Sequence, residues 1–329
     1  MREIAPRTTS RLLHAGALLV ACVLAAACMP AYRPPLRVGT NLWLGYEPLY
    51  LAAGLGYFDG TPVRLVELGS DTQAMDALRA GRLDAAGLTL DEALTLLEER
   101  VPVAIVWVLD VSAGADAVVA KPDIPSLSDL RGKRIGVEQT AVGAYMLDAA
   151  LRRADLTPAD VTLLHLPLDA HVASFNAGSV DAVVTFDPAR QALVKSGGRV
   201  LFDSRSLPGQ IVDVLVVRRE ALACCSADVG RLIQGQQRAL AYLAQHRTDA
   251  MERMAPRLAL APNDIAAALD GIVLPDAAYN RSLLGGPTPD LAETAAHQSR
   301  LMRQRGLLGS RIDTQALIDG RFLDLGQQP

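Results

Sequence analysis

The sequence predicts an α/β protein of two doubly wound lobes joined by a two-segment hinge. Three observations carry this expectation. Along residues 36–218, short apolar runs alternate with helical stretches, the pattern of parallel strands linked by helical crossovers. The alternation breaks at Asp110-Val111-Ser112-Ala113-Gly114-Ala115-Asp116, where small and acidic residues take over. A short passage also recurs: Ala80-Gly81-Arg82-Leu83-Asp84-Ala85 returns as Ala177-Gly178-Ser179-Val180-Asp181-Ala182. Each copy follows a helical stretch and opens a strand that ends in threonine, Thr89 or Thr185.

Taken in order, Val38 begins the first strand. Pro48 suits a first helical position, where its missing N–H would be unpaired anyway, and Gly56 suits the left-handed residue that closes a helix. The loop from Trp43 to Glu47 therefore lies between the carboxyl end of a strand and the amino end of a helix, where open α/β sheets place their ligands. Residues 63–68 read as a strand, Gly69-Ser70-Asp71 as turn and N-cap, and 72–80 as a helix closed by Gly81. A strand over 83–88 follows, then a helix capped at Thr89–Asp91 that runs to about Arg100. Residues 103–109 form a continuous apolar run, expected of a strand buried on both faces.

After the break, a strand at 117–121 opens the second lobe. It continues as strand 134–137, loop 138–141, helix 142–153, strand 161–164, helix 169–176, strand 181–184, helix 188–195 and strand 200–202. Residues 211–217 return the chain to the first lobe. From Glu220 onward the pattern is mainly helical, with Thr248, Asn263 and Asp290 as caps. The expected boundaries are 36–110 with 211–329 for lobe one and its helical extension, and 111–210 for lobe two.

The 329 residues suffice for about two cores, and 50% hydrophobic with 21% charged residues is a globular composition. A net charge of -4 gives no support for a nucleic-acid partner, which shows a basic face. At the N-terminus, Arg2, Arg7 and Arg11 precede an apolar stretch at 12–24, too short for a comfortable membrane span and right for a secretory signal. Ala25-Ala26-Ala27-Cys28 then reads as a lipoprotein processing site with Cys28 lipidated. Leu19-Val20-Ala21-Cys22 is the alternative, closer to the usual pattern but leaving a very short apolar core. Residues 1–28 are thus expected to be a signal peptide and 29–35, rich in proline, an extended tether. Cys224 and Cys225 are adjacent, a spacing that disfavours mutual pairing, and are expected to be small apolar fillers.

The Gly-Tyr-Glu-Pro loop at 45–48, Val-Leu-Asp-Val-Ser-Ala-Gly-Ala-Asp at 108–116, Leu-Arg-Gly-Lys-Arg-Ile-Gly-Val at 130–137 and Val-Thr-Phe-Asp-Pro at 184–188 resemble periplasmic substrate-binding proteins of the nitrate/sulfonate/taurine type, a group that includes binders of thiamine-pyrimidine precursors. The resemblance covers roughly residues 36–218. It implies a type II periplasmic-binding-protein-like fold, a ligand held in the interlobe cleft, and delivery to an ABC permease and its ATPase. It also implies ligand contacts at Trp43, Tyr46, Ser70, Thr89, Asp110, Ser112, Asp116, Thr140, Thr185 and Asp187. Ser70, Thr140 and Asp187 also read as helix caps, and Asp116 as a hinge latch; Asp213 is a further candidate on the returning crossing.

The same loops hold Glu47, Asp71, Asp110, Asp116, Glu138 and Asp187 and no lysine or arginine. Helix N-termini could still hold an anion such as nitrate or a sulfonate. Carboxylates beside Trp43, Tyr46 and Phe186 better suit an amine or N-heterocycle. Neither a phosphate-binding glycine loop nor a nucleophile elbow occurs, and the five histidines are scattered, with His165 and His171 reading as ordinary polar residues. The expectation is therefore a monomeric, lipid-anchored, non-enzymatic binding protein with no cofactor or metal. The alternatives are a ligand-sensing module for a separate membrane partner and an enzyme on the same fold.

Overall fold

The computed structural model describes residues 34–325. The expected signal peptide, Cys22, Cys28 and most of the tether lie outside them. The strands are β1 Leu36–Thr40, β2 Val63–Glu67, β3 Ala85–Thr89, β4 Val103–Ser112, β5 Ala117–Ala120, β6 Arg134–Val137, β7 Thr162–His165, β8 Ala182–Thr185, β9 Arg199–Asp203, β10 Val212–Arg218 and β11 Ile272–Val273. They form two sheets, ordered β11-β4-β10-β3-β1-β2 and β7-β6-β8-β5-β9. In the first, β1 is parallel to β2 and β3, while β10 runs antiparallel between β3 and β4. In the second, β6 is parallel to β7 and β8, and β5 runs antiparallel between β8 and β9. The two-lobed α/β architecture is as the sequence predicts.

The helices linking the strands are α1 Glu47–Gly54, α2 Asp71–Arg79, α3 Leu90–Glu98, α4 Ala141–Arg152, α5 His171–Asn176 and α6 Ala189–Lys195. Apolar clusters lie on both faces of the second sheet: Val118, Ile135, Met146 and Val184 in one, Val119, Phe175, Val183 and Leu193 in the other. Every residue of β4 is buried, as its unbroken apolar run requires.

The recurring sequence passage builds the same clasp twice. In lobe one, the Arg37 backbone N–H and Nε donate to Asp84 Oδ2 (2.8 and 2.9 Å), and Nη2 reaches Asp84 Oδ1 (2.7 Å) and the Gly81 carbonyl (2.9 Å). In lobe two, Arg134 makes the same bonds to Asp181 (2.8, 3.1 and 2.7 Å) and to the Gly178 carbonyl (2.8 Å). Gly81 and Gly178 have φ of 66° and 74°, the left-handed turn that lets their carbonyls face the arginine.

Two chain crossings link the sheets, β4 to β5 and β9 to β10. Ser204 fastens them: its Oγ lies 2.8 Å from Ser112 Oγ and accepts the Gly114 N–H (2.6 Å).

The C-terminal part is helical, with α7 Arg219–Gln245, α8 Arg247–Leu258, α9 Pro262–Leu269, α10 Ala277–Leu284 and α11 Asp290–Gln304. Among the described residues, no helix is long and apolar enough to cross a membrane. The cap expectations need correction. His246, Ala261 and Pro289 precede these helices, and Thr248, Asn263 and Asp290 lie inside the first turn. Pro262 fixes one start, and the Asp290 carboxylate complements the positive end of α11. Cys224 and Cys225 are also corrected. They form a disulfide with each other, made possible where Cys225 leaves helical geometry (φ −134°, ψ 25°), and neither is buried as a filler would be.

Candidate functional site

The loop after β1 makes a 3-10 turn, Leu44–Tyr46, after an extended Trp43. Gly45 presses against β4, so that a Cβ there would lie 1.8 Å from Asp110 Oδ2 and 2.5 Å from Trp43 Nε1. Only glycine fits. This approach lets the Trp43 indole N–H donate to Asp110 Oδ2 (3.0 Å) while the Tyr46 hydroxyl donates to Asp213 Oδ1 (2.5 Å). Both aromatics are buried, Tyr46 beneath Gly87 of β3.

Asp110 and Asp213 face each other in register across β4 and β10, with Thr89 on the far side of Asp213. Like charges directly opposite repel. Burial first, then mutual repulsion, holds the Asp110 carboxyl well above its ordinary range. Burial also lifts Asp213 to about 7, partly opposed by the Tyr46 hydroxyl. A proton held by either carboxyl relieves the repulsion. Asp116, beyond the hinge, is likewise lifted to about 7 by burial. Its backbone N–H donates to Ser112 Oγ (3.3 Å), and its carboxylate Oδ2 has no partner.

A second acidic group gathers at the start of α2. Asn41 Nδ2 donates to Asp71 Oδ2 (2.7 Å), leaving Oδ1 without a partner. Glu138, from lobe two, accepts the Thr72 N–H (3.3 Å) and hydroxyl (2.9 Å), so it sits at the positive end of a lobe-one helix. Burial, then the nearby Glu138, raises the Asp71 pKa well above its usual value. Asp91 and Glu92 open α3 beside them, both buried, with Glu92 Oε2 accepting the Thr89 N–H (3.0 Å).

Lobe two supplies the opposite wall. His171 Nε2 lies 3.2 Å from the Leu166 carbonyl, which can only accept, so Nε2 carries the proton and Nδ1 accepts from the Thr185 hydroxyl at 3.1 Å. Burial lowers the His171 pKa to about 4, keeping the ring neutral at neutral pH. Phe186 meets Trp43 edge-on across the cleft, ring centroids 5.2 Å apart. On the lobe-two side, Asp116, Glu138, Thr140, His171, Thr185 and Phe186 line a cavity of about 20 Å³. That is room for about one water.

The ten residues singled out in the sequence thus differ in what they offer. Trp43, Tyr46, Asp110 and Asp116 converge, and Thr140 and Thr185 line the cavity. Ser70 caps α2 through the Gln73 N–H (3.3 Å), and Thr140 caps α4 through the Gly143 N–H (3.4 Å). The Ser112 hydroxyl is engaged at the hinge. Asp187 is wholly buried and pairs with Arg190 (3.2 Å).

Two of the six loop acids therefore are not free charges, because Glu47 likewise pairs with Arg257 of α8. Their partners, Arg190 and Arg257, lie in helices outside those loops. Asp91, Glu92 and His171 were not singled out in the sequence as ligand contacts. The first two hide in a Thr-x-x-Glu capping pattern, and His171 has no local signal.

Residues 30–259 match the NMT1-like family, well over half of the chain. The chain belongs to the NMT1-like family. The taurine-binding periplasmic protein of Escherichia coli (strain K12) is 30% identical over 165 residues. That match covers 49% of this chain and 51% of the relative, so the chain spans about half the length of that curated relative. Among solved structures, the alkanesulfonate-binding protein SsuA from Xanthomonas axonopodis pv. citri, bound to MOPS, superposes with a TM-score of 0.74 at 21% identity, over 88% of this chain and 100% of that one. The desulfurization enzyme DSZB superposes with a TM-score of 0.64 at 17% identity, over 89% and 98%. This fold is thus found in both a binding protein and an enzyme.

Proposed function

We propose that this chain is the solute-binding component of an ABC importer. It is exported, held at the periplasmic face by lipidated Cys28, and acts as a monomer. It captures a small amine or protonated N-heterocycle in the interlobe cleft and presents the closed form to a permease and its ATPase. Kinship with binding proteins of the taurine and sulfonate class supports the transport role.

The observation that carries the ligand class is the set of buried carboxyls at Asp71, Asp110, Asp116 and Asp213, none of them in an ion pair among the described residues. An anion brought to them would add repulsion to burial, whereas a cation would replace the protons they hold. Trp43 and Phe186 would flank it through cation–π contact. The hinge tied by Ser204 lets the lobes part and close as two bodies.

Calorimetry against amines, N-heterocycles, taurine, nitrate and alkanesulfonates tests the reading, after mass spectrometry of whatever copurifies. A cationic nitrogen compound is expected to bind. Binding of taurine, nitrate or a sulfonate alone would sink the ligand class, and turnover of any bound compound would sink the non-enzymatic role. The mass of the mature N-terminal peptide tests the anchor at Cys28 against that at Cys22.

A further inference from the structure

Resting on the cation-binding reading, we propose that the ligand is a dication, a compact aliphatic diamine or guanidino-amine with two positively charged nitrogen centres, one for each acidic group. The acids fall into two sets held by different partners. Asp110 and Asp213 form a floor at the ends of β4 and β10, gripped by Trp43 and Tyr46, with Asp116 beside them. Asp71 and Asp91 stand at the starts of α2 and α3, with Glu138 reaching across from lobe two.

Four oxygens in these sets are buried without a hydrogen-bond partner: Asp71 Oδ1, Asp91 Oδ2, Asp110 Oδ1 and Asp116 Oδ2. Their residues are only 4%, 5%, 0% and 7% exposed. A buried acceptor left unpaired costs about 1–3 kcal/mol, more when charged. One primary ammonium has three N–H donors and one charge. It cannot satisfy four separate carboxylates, and the Thr185 oxygen keeps lone pairs for a further donor. Two ammonium groups bring six donors and two charges; an ammonium with a guanidinium brings more. Asn41, Thr72, Trp43 and Tyr46 already donate to the remaining oxygens of these acids or of Glu138 and Asp213, so the protein fills one side and leaves the other to the ligand.

The test is calorimetry on the full mature domain with matched pairs: 1-aminobutane against 1,4-diaminobutane, the three- and five-carbon equivalents, and agmatine. At least one dication is expected to bind at least 100-fold tighter than the monoamine of equal length. With imidazole and a pyrimidine amine added as N-heterocyclic controls, equal affinity for mono- and dication would overturn this proposal and leave the cation reading standing; no affinity for any compound of the panel would overturn both. Asp71→Asn and Asp213→Asn should each reduce the diamine to monoamine affinity without lowering Tm. If only one does so, the acidic groups are not two half-sites.

Discussion

The two lobes are fastened by the same clasp and charged by different hands. At the amino ends of their strands, Arg37–Asp84 and Arg134–Asp181 repeat bond for bond, down to the glycine carbonyl each arginine reaches. At the carboxyl ends the likeness stops. Lobe one brings Asp71, Asp91, Asp110 and Asp213 with Trp43 and Tyr46; lobe two answers with Asp116, Glu138, Thr140, Thr185 and His171. One end of each sheet carries the same sequence pattern, and the other carries different side chains in the two lobes. Strand register is a folding requirement common to both lobes, whereas the cleft needs two unlike walls. Most of the cost of holding charge away from water therefore falls on lobe one.

That asymmetry is open to direct challenge by pH, with the largest expected effect. Burial raises the pKa of Asp116 and Asp213 to about 7, and the pKa values of Asp71 and Asp110 also rise. The folded state then holds protons that the unfolded chain releases above its ordinary carboxyl range. Stability is fully present below about pH 4 as far as these groups decide it, and is lost as pH rises toward 7. The ionisable groups facing them are one another, Asp91, Glu138, Asp187 and the Tyr46 hydroxyl, none of which can supply a positive charge. Unfolding of the ligand-free protein is expected to shift to lower denaturant between pH 5 and 7.5, and Asp213→Asn to flatten that slope. A flat profile in the parent protein would mean that the acids of lobe one are not burdened as described.

Gly45→Ala comes next. The added methyl lands on Asp110 and the Trp43 indole, both already fixed by their mutual hydrogen bond. Overpacking of this kind costs about 1–3 kcal/mol. Urea denaturation measures it, and the ligand affinity should fall with it. Full stability would show that this loop is not wedged against β4. The clasps give a smaller and symmetric effect. Asp84→Ala and Asp181→Ala each leave a backbone N–H and an arginine without their acceptor, and each should lower Tm by roughly 3 °C. A twofold or larger disparity would break the equivalence of the lobes.

How much of this was legible in the sequence follows from how far apart the partners lie. The clasp was visible as a repeated passage because its turn, glycine and aspartate are contiguous, and β6 was expected at 134–137, where it is found. The Asp110–Asp213 pair was half visible: each acid stood out in its own segment, but their opposition depends on β10 inserting between β3 and β4. Arg257 could not be assigned to Glu47 across 210 residues, so Glu47 looked like a free charge. Ser112 looked free for a similar reason, since its partner Ser204 lies 92 residues on. Patterns of three to six residues told the caps at Ser70 and Thr140 and the turns at Gly81 and Gly178, though not the starts of the C-terminal helices; charge pairing was written in the tertiary fold. The adjacent cysteines failed differently, because their bond depends on one residue leaving helical geometry.

The smallest expected effect tests the acid that lobe two extends to the start of α2. Glu138 bridges the lobes by accepting from Thr72, both N–H and hydroxyl, at the start of α2. Glu138→Gln keeps an oxygen acceptor in the same place and removes the charge, so the hydrogen bonds persist while the interaction with the helix dipole weakens. Such a charge is worth about 0.3–1 kcal/mol at a helix end. Removing it also relieves repulsion from Asp71, which acts in the opposite direction. The two nearly cancel for the empty protein, so Tm should hardly move. With a cation in the cleft the repulsion is already relieved, and only the loss remains. Ligand affinity should therefore fall by a few-fold, and small-angle scattering should show the liganded protein less fully closed. A Glu138→Gln protein that bound its ligand more tightly than the parent would place Glu138 as a burden on the closed state, and the division of labour between the lobes would have to be redrawn.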